Sequence, residues 1–380
     1  MRRLPNCRAQ HFRLGLTCVA DNRKFLNMSD PEAASPVGDY SRRSVSGILP
    51  SLLNKLDLKR QLGTIKGDLD KIEERLRFQV QEFDPGIHGY VSYALDSNGK
   101  RIRPALVLLA AHATGKVTPK HLDLAVIVEL IHLATLVHDD IMDGASKRRG
   151  KPTAAAKWGA ELSVLLGDCL FCHALKLSAA AENHTLTRSI AEASNEVCSG
   201  EILQTQRRFD LKLSIPEYIK IIAMKTGALF RVSTEMAAVL NDCRPDEVLA
   251  MRNYGEYLGV AYQIYDDCLD LVGTDASTGK TVGTDLAKGK LTLPLLHVLA
   301  QANDAERERL HAVIVEGSKE SRAALLAQVV ERGGLKNAVR RIEAYLDQAI
   351  AALQVLPKSG HRDTLEQIAR ALADHVATLG

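Results

Sequence analysis

From about residue 48 onward, apolar residues recur every three or four positions, with glycine or proline at the interruptions. This is the spacing of helices that bury one stripe. Leu335, Val339, Ile342, Leu346, Ile350 and Leu353 fall on one such stripe. The stretch 122–137 is apolar on more than one face, which suits a helix at the centre of a bundle rather than on its surface. No convincing pair of alternating strands is present. Breaks near Gly86, Gly99, Gly115, 144–150, Pro216, 273–289 and 333–334 mark off about a dozen helices, without internal repeat or long linker. The expected fold is all-α: a single large helix bundle over residues 47–380, around a central cavity. A length of 380 residues would allow two domains. The candidate chemistry, however, falls in two separated stretches that need each other, so one domain is expected.

Residues 1–46 break the pattern. The first 27 carry Arg2, Arg3, Arg8, Arg13, Arg23 and Lys24 against one acid, Asp21. That composition resembles a transit peptide, but its apolar stretch is short and broken by Arg13. The favoured reading of 1–46 is a disordered or removable extension, with Met28 as an alternative start. Net charge is +3 and aromatic content 4%, which gives no basis for nucleic-acid binding. The seven cysteines are odd in number and scattered, as for reduced thiols in a cytoplasmic setting. Cys169 and Cys172 sit in an apolar run and are expected to be small core residues of a helix. No window reaches the roughly 18 uninterrupted apolar residues of a membrane span.

Candidate chemistry is concentrated in two acidic clusters. Residues 138–150 read HDDIMDGASKRRG, so Asp139 and Asp143 lie at i and i+4, one turn apart on one helix face, with Asp140 beside them. Residues 263–270 read QIYDDCLD and repeat the arrangement in Asp266, Asp267 and Asp270. Each cluster closes an apolar helix, where acids oppose the helix dipole. A lone DDxxD is a weak signal, since solvated acidic helix ends are common. Two copies facing one cavity would repel unless cations bridge them. Hard oxygen donors favour Mg²⁺, which takes a few carboxylates together with phosphate and water. A diphosphate held between the clusters is therefore expected.

Basic residues complete such a site. Lys100, Arg101 and Arg103 lie in GKRIRP, ahead of a helix whose first turn accommodates Pro104. Arg148 and Arg149 follow the first cluster. Lys225 and Thr226 lie in a KTG segment expected to open an apolar helix. Lys280 and Lys290 lie in the glycine-rich stretch after the second cluster. His132 precedes His138 in an otherwise apolar helix; read alone, it is a hydrogen-bonded core histidine. His138 beside Asp139 has no second His-Asp constellation to make a metal motif.

GKRIRP, LIHLATLVHDDIMD followed by KRRGKPT, GE at 200–201, KTGALF, and YQIYDDCLD followed by GKTVGTDLAKGKLTLPLLH resemble, in order and spacing, the successive blocks of trans-prenyl diphosphate synthases. The resemblance covers about residues 60–375. It implies the isoprenoid synthase type of helix bundle, and condensation of isopentenyl diphosphate with an allylic diphosphate, assisted by three Mg²⁺ per site. It assigns Lys100, Arg103, His132 and Arg149 to isopentenyl diphosphate. Arg148, Lys225, Lys280 and Lys290 go to the allylic diphosphate, and Thr226 and Gln263 face its reacting carbons. Asp139, Asp143, Asp266 and Asp270 become metal–diphosphate ligands, with Asp140 and Asp267 in support. It also implies a homodimer, and at most peripheral membrane contact for an insoluble product.

In this family the product grows down between helices beneath the first cluster. Ala134 lies about 7–8 Å below the aspartates at 1.5 Å per residue. A small residue there, with Thr135 beside it and Ile131 and Val128 deeper, resembles medium- and long-chain synthases, with a product above C20. A short-chain synthase (farnesyl or geranylgeranyl diphosphate) is the alternative. A terpene cyclase would lack the second DDxxD and GKRIRP. A non-catalytic subunit of a heteromeric synthase would usually lack one cluster.

Overall fold

The computed structural model describes residues 63–96, 101–272 and 283–379, all within a compact unit spanning 45–380. Residues 1–46, Lys100 and Lys280 lie outside the described residues. The described residues are helical almost throughout. The helices are α1 (Lys66–Gln79), α2 (His88–Leu95), α3 (Ile102–Thr114), α4 (Pro119–Met142), α5 (Ala154–Trp158), α6 (Ala160–Ala180), α7 (His184–Gln206) and α8 (Ile215–Ile222). They continue as α9 (Ala228–Val239), α10 (Pro245–Val272), α11 (Thr284–Ala287), α12 (Leu293–Gln301), α13 (Asp304–Glu316), α14 (Lys319–Glu331), α15 (Gly334–Ala352) and α16 (Gly360–Ala377).

Local sequence sets these limits. Thr118 and His121 form a capping box, with Pro119 in the first turn of α4. Ser214 and Glu217 do the same for α8, with Pro216 in its first turn. Asn183, Asn303, Ser318 and Ser359 each accept a backbone N–H at a helix start. α4 is buried on nearly every face, as its pattern predicts: Leu124, Ala125, Ile127, Val128, Leu130, Ile131 and Ala134 are fully enclosed. It packs against α3, α6 and α9, while α10 packs on α9 and α15. The two helices that end in aspartate clusters thus both run through the core.

Three expectations are corrected. A two-residue antiparallel pair does form, Lys147–Arg148 with Lys151–Pro152. It closes the turn that carries Arg148 and Arg149. The KTG segment does not open a helix. Ala223–Gly227 is a π-helical turn joining α8 directly to α9. Cys169 and Cys172 are not core residues; both are exposed. α6 buries Leu166, Leu170 and Ala174 against its neighbours, and its opposite face, also apolar, is uncovered at Val164 and Leu165. For the same reason α6 is, among the described residues, the one helix long and apolar enough to cross a membrane; it is interrupted by Asp168 and 39% buried.

Candidate functional site

The two aspartate motifs sort their carboxylates in the same way. α4 ends at Met142, and the Asp143 backbone N–H still donates to the Asp139 carbonyl at 2.8 Å. Asp139 and Asp143 therefore share one end face, both half-buried. Asp140 points inward, 6% exposed, and is gripped by Arg148 through Nε at 2.8 and 3.0 Å and a terminal nitrogen at 2.8 Å. Near the end of α10, Asp266 and Asp270 are half-buried while Asp267 is 7% exposed. Asp267 accepts from the Tyr218 hydroxyl at 2.5 Å and from Gln263 Nε2 at 2.8 Å. Burial, with Asp285 and Asp266 adding to it, pushes the Asp267 carboxyl up to about 8 against those hydrogen bonds. In both motifs the middle acid is buried, while the first and last remain partly exposed.

A single turn ties the motifs together. Asp270 accepts from the backbone N–H groups of Thr284 and Asp285 at 3.2 and 3.0 Å and from the Thr284 hydroxyl at 2.9 Å. Six residues past Thr284 along the chain, Lys290 reaches Asp143 at 3.0 Å. Burial would raise the Asp143 carboxyl, but Lys290, Lys288 and Lys225 together hold it below the usual range. Asp139 moves the other way: burial, Glu201 and Asp143 raise it against Lys225 and Lys290.

Lys225 stands 3.8 Å from Asp139, donates to Gln204 at 2.9 Å and pairs with Glu201. The wide π turn delivers it there, and Thr226 in the same turn donates to Gln263 Oε1 at 2.7 Å. Two glycines permit this approach. A Cβ on Gly200 would sit 2.7 Å from the Lys225 backbone nitrogen, and one on Gly259 would sit 2.9 Å from Gly227 Cα. The variant Gly200→Ala is expected to push the π turn outward. It should lower kcat by about tenfold through misplaced Lys225, with little change in KM for isopentenyl diphosphate, as steady-state kinetics would record.

The cationic half lies at the start of α3 and in the turn after α4. Arg103 lies over the Phe230 ring, 5.0 Å from its centroid, and its Nε is buried without a protein partner. His132 is held neutral well below the usual imidazole range, by burial first and then by Arg103 and Arg149. Burial and Arg148 lower Arg149 as well. Arg101 is structural. It pairs with Glu73 at 2.6 Å and with Glu129 at 2.7 Å. Arg101 and Arg149 both take left-handed backbone, at φ +48° and +51°. That conformation costs about 1 kcal/mol or more without glycine. A buried guanidinium N–H without a partner, among like charges, is the environment of an anion site.

Val128, Ile131 and Ala134 follow one face of α4 and are all fully buried. Thr135 is half-buried and returns its hydroxyl to the His132 carbonyl at 2.8 Å. Among the described residues no three acids, histidines or cysteines gather into a ready-made metal cluster. The donor chemistry nevertheless fits Mg²⁺: four half-open carboxylates at two helix ends, with hard oxygens only.

The profile of the polyprenyl synthetase family matches residues 84–332, about two thirds of the chain. The chain belongs to the polyprenyl synthetase family. It is 37% identical over 277 residues to an octaprenyl diphosphate synthase of Escherichia coli, covering 72% of this chain and 85% of that one. The crystal structure of a decaprenyl diphosphate synthase from Rhodobacter capsulatus superposes with a TM-score of 0.79 at 34% identity, covering 84% of this chain and 99% of that chain. A polyprenyl synthase from Caulobacter crescentus, solved with calcium and isoprenyl diphosphate, gives 0.77 at 34% identity, covering 83% and 97%. This polyprenyl synthetase is thus a prenyltransferase of a family that is generally magnesium-dependent.

Sequence reasoning missed part of this polyprenyl synthetase's site. Glu201 and Gln204, which hold Lys225, lie in the quoted GE block and just beyond it, but carried no expected role. Thr284, Asp285 and Lys288 lie inside the quoted GKTVGTDLAKGKLTLPLLH block but were likewise given no role, and Tyr218 and Arg208 gave no signal. Tyr218 and Arg208 act through contacts to residues distant in the chain and stand in no recognised motif.

Proposed function

We propose that this polyprenyl synthetase extends an allylic diphosphate by successive head-to-tail additions of isopentenyl diphosphate, giving an all-trans polyprenyl diphosphate longer than C20 and releasing diphosphate at each step. The observation that carries this reading is the pair of aspartate motifs joined through Lys290 and the 283–290 turn, with a separate arginine–histidine cluster nearby. The names of the Escherichia coli and Rhodobacter capsulatus relatives support the product class, as does the small residue at Ala134. The Caulobacter crescentus structure supports a divalent cation with an isoprenyl diphosphate.

Asp139, Asp143, Asp266 and Asp270 would hold Mg²⁺, three ions per site as the family implies. When bound, Mg²⁺ supplies Lewis-acid stabilisation of negative charge on the leaving diphosphate. Lys225 and Lys290 add fixed positive charge at the same place, and Arg148, held by Asp140, presents its remaining N–H groups beside them. The Thr226 and Gln263 oxygens stabilise the allylic carbocation after ionisation. The Thr226–Gln263–Asp267–Tyr218 chain of hydrogen bonds fixes their aim. Arg103, Arg149 and neutral His132 hold isopentenyl diphosphate so that its double bond attacks the cation. The proton then lost passes to the released diphosphate. Lys100 and Lys280 belong to the same two diphosphate sites in this reading.

The uncovered apolar face of α6, with exposed Ile202 and Cys198 on α7, supports a homodimer in which a second copy covers it. Since α6 packs closely on α4, we read its apolar length as bundle and interface surface, with membrane contact at most peripheral to a cytoplasmic enzyme. Residues 1–46 are read as an extension removable without loss of activity.

The test is incubation of the purified chain with isopentenyl diphosphate, an allylic diphosphate and Mg²⁺, with products sized by chromatography. Chains beyond C20 are expected. Adding EDTA should abolish elongation and excess Mg²⁺ restore it. No elongation with any allylic primer would end the proposal.

A further inference from the structure

Asp143 draws more than one cation to itself. Besides Lys290, it faces Lys288 at 3.5 Å and Arg208 at 3.2 Å. Arg208 is largely enclosed, and its Nε is buried without a hydrogen-bond partner. The backbone around it is set with unusual care. Phe209 takes left-handed backbone at φ +61°, and its N–H donates to the Gly289 carbonyl at 2.8 Å. Gly289 is left-handed too, at φ +74°, and a Cβ there would meet the Phe209 ring at 2.4 Å. Two segments distant in sequence are thus latched ring-on-glycine. The latch holds Arg208 from one segment and Lys288 and Lys290 from the other over the same carboxylate.

We propose that Arg208, positioned by the Phe209–Gly289 latch, is a further binding residue for the leaving diphosphate of the allylic substrate, with Lys288 beside it. The inference rests on the diphosphate chemistry proposed above. Three cations converge on one carboxylate, and a guanidinium with an uncommitted N–H matches phosphate oxygens. In the free protein these groups occupy Asp143. When Mg²⁺-diphosphate enters, Arg208 exchanges the carboxylate for a phosphate oxygen.

The test uses the full chain with Arg208→Met, Arg208→Lys and Gly289→Ala. Inorganic diphosphate binding in Mg²⁺ is measured by thermal shift, alongside KM for each substrate. R208M should weaken diphosphate binding and raise the allylic KM by about tenfold, the scale of one charge-assisted hydrogen bond. KM for isopentenyl diphosphate, held by the other cluster, should stay as in wild type. R208K should recover part of the loss and serves as the test if R208M fails to fold. G289A should reproduce the R208M split with Arg208 intact. Unchanged diphosphate binding in both Arg208 variants, or an equal rise in both KM values, overturns the proposal. A wild-type chain that elongates no primer refutes the proposed function instead.

Discussion

Replacing Asp139 or Asp143 by asparagine should lower kcat by about a thousandfold, with the melting temperature nearly unchanged for Asp139→Asn and lowered for Asp143→Asn. Both carboxylates are half-open at the end of α4, but burial and acidic neighbours disfavour the Asp139 charge, whereas Asp143 is paired with Lys290, Lys288 and Arg208 and its loss leaves those cations unpaired. Loss of one such electrostatic contact to a developing anion is worth about 10²–10³ in rate. Asp140→Asn should lower the melting temperature. Asp140 is buried against Arg148, and breaking a buried pair from one side costs on the order of 3 kcal/mol. Steady-state kinetics with thermal unfolding of the three variants separates the cases. A loss of stability in Asp139→Asn equal to that in Asp140→Asn would mean that the open carboxylate is structural, and would undercut the magnesium assignment.

The second large effect is on product length. Ala134→Tyr should shorten the product to about C15–C20, because the ring would block the α4 face about 7–8 Å below Asp139. Ala134 is fully buried, so the outcome distinguishes two structures. If the growing chain runs along Val128, Ile131 and Ala134, the phenol takes the place of product and the fold tolerates it. If no product passes there, the ring overpacks a closed core at about 1–3 kcal/mol. The melting temperature then falls and the chain length stays as it was. Chromatography of the products, with a melting curve of each protein, reads both.

Helical periodicity made much of this legible in advance. The i,i+4 pairs Asp139–Asp143 and Asp266–Asp270 follow from 3.6 residues per turn, and the burial of α4 follows from its two apolar faces. What periodicity could not convey was which acid in each triplet turns inward. Asp140 and Asp267 are distinguished from their neighbours by Arg148 and Tyr218, contacts made across a turn and between helices. Cys169 and Cys172 went astray because an apolar run marks a surface that wants covering without saying whether the same chain covers it. Arg208 was invisible for a related reason. Beside Arg207 it reads as solvated charge, and only the left-handed turn at Phe209 brings it to Asp143.

The π turn at Ala223–Gly227 has a consequence for how this protein tolerates insertions and deletions. A widened turn accommodates an added residue without rotating the flanking segments by the 100° that an ordinary helical step would impose. α8 and α9 can therefore each keep their own greasy edge facing inward, and Lys225 and Thr226 occupy the slack between them. Trimming a single residue here would let the two segments merge into a regular spiral. The core would survive such a loss far better than the aim of that lysine, giving a folded protein unable to grip its substrate.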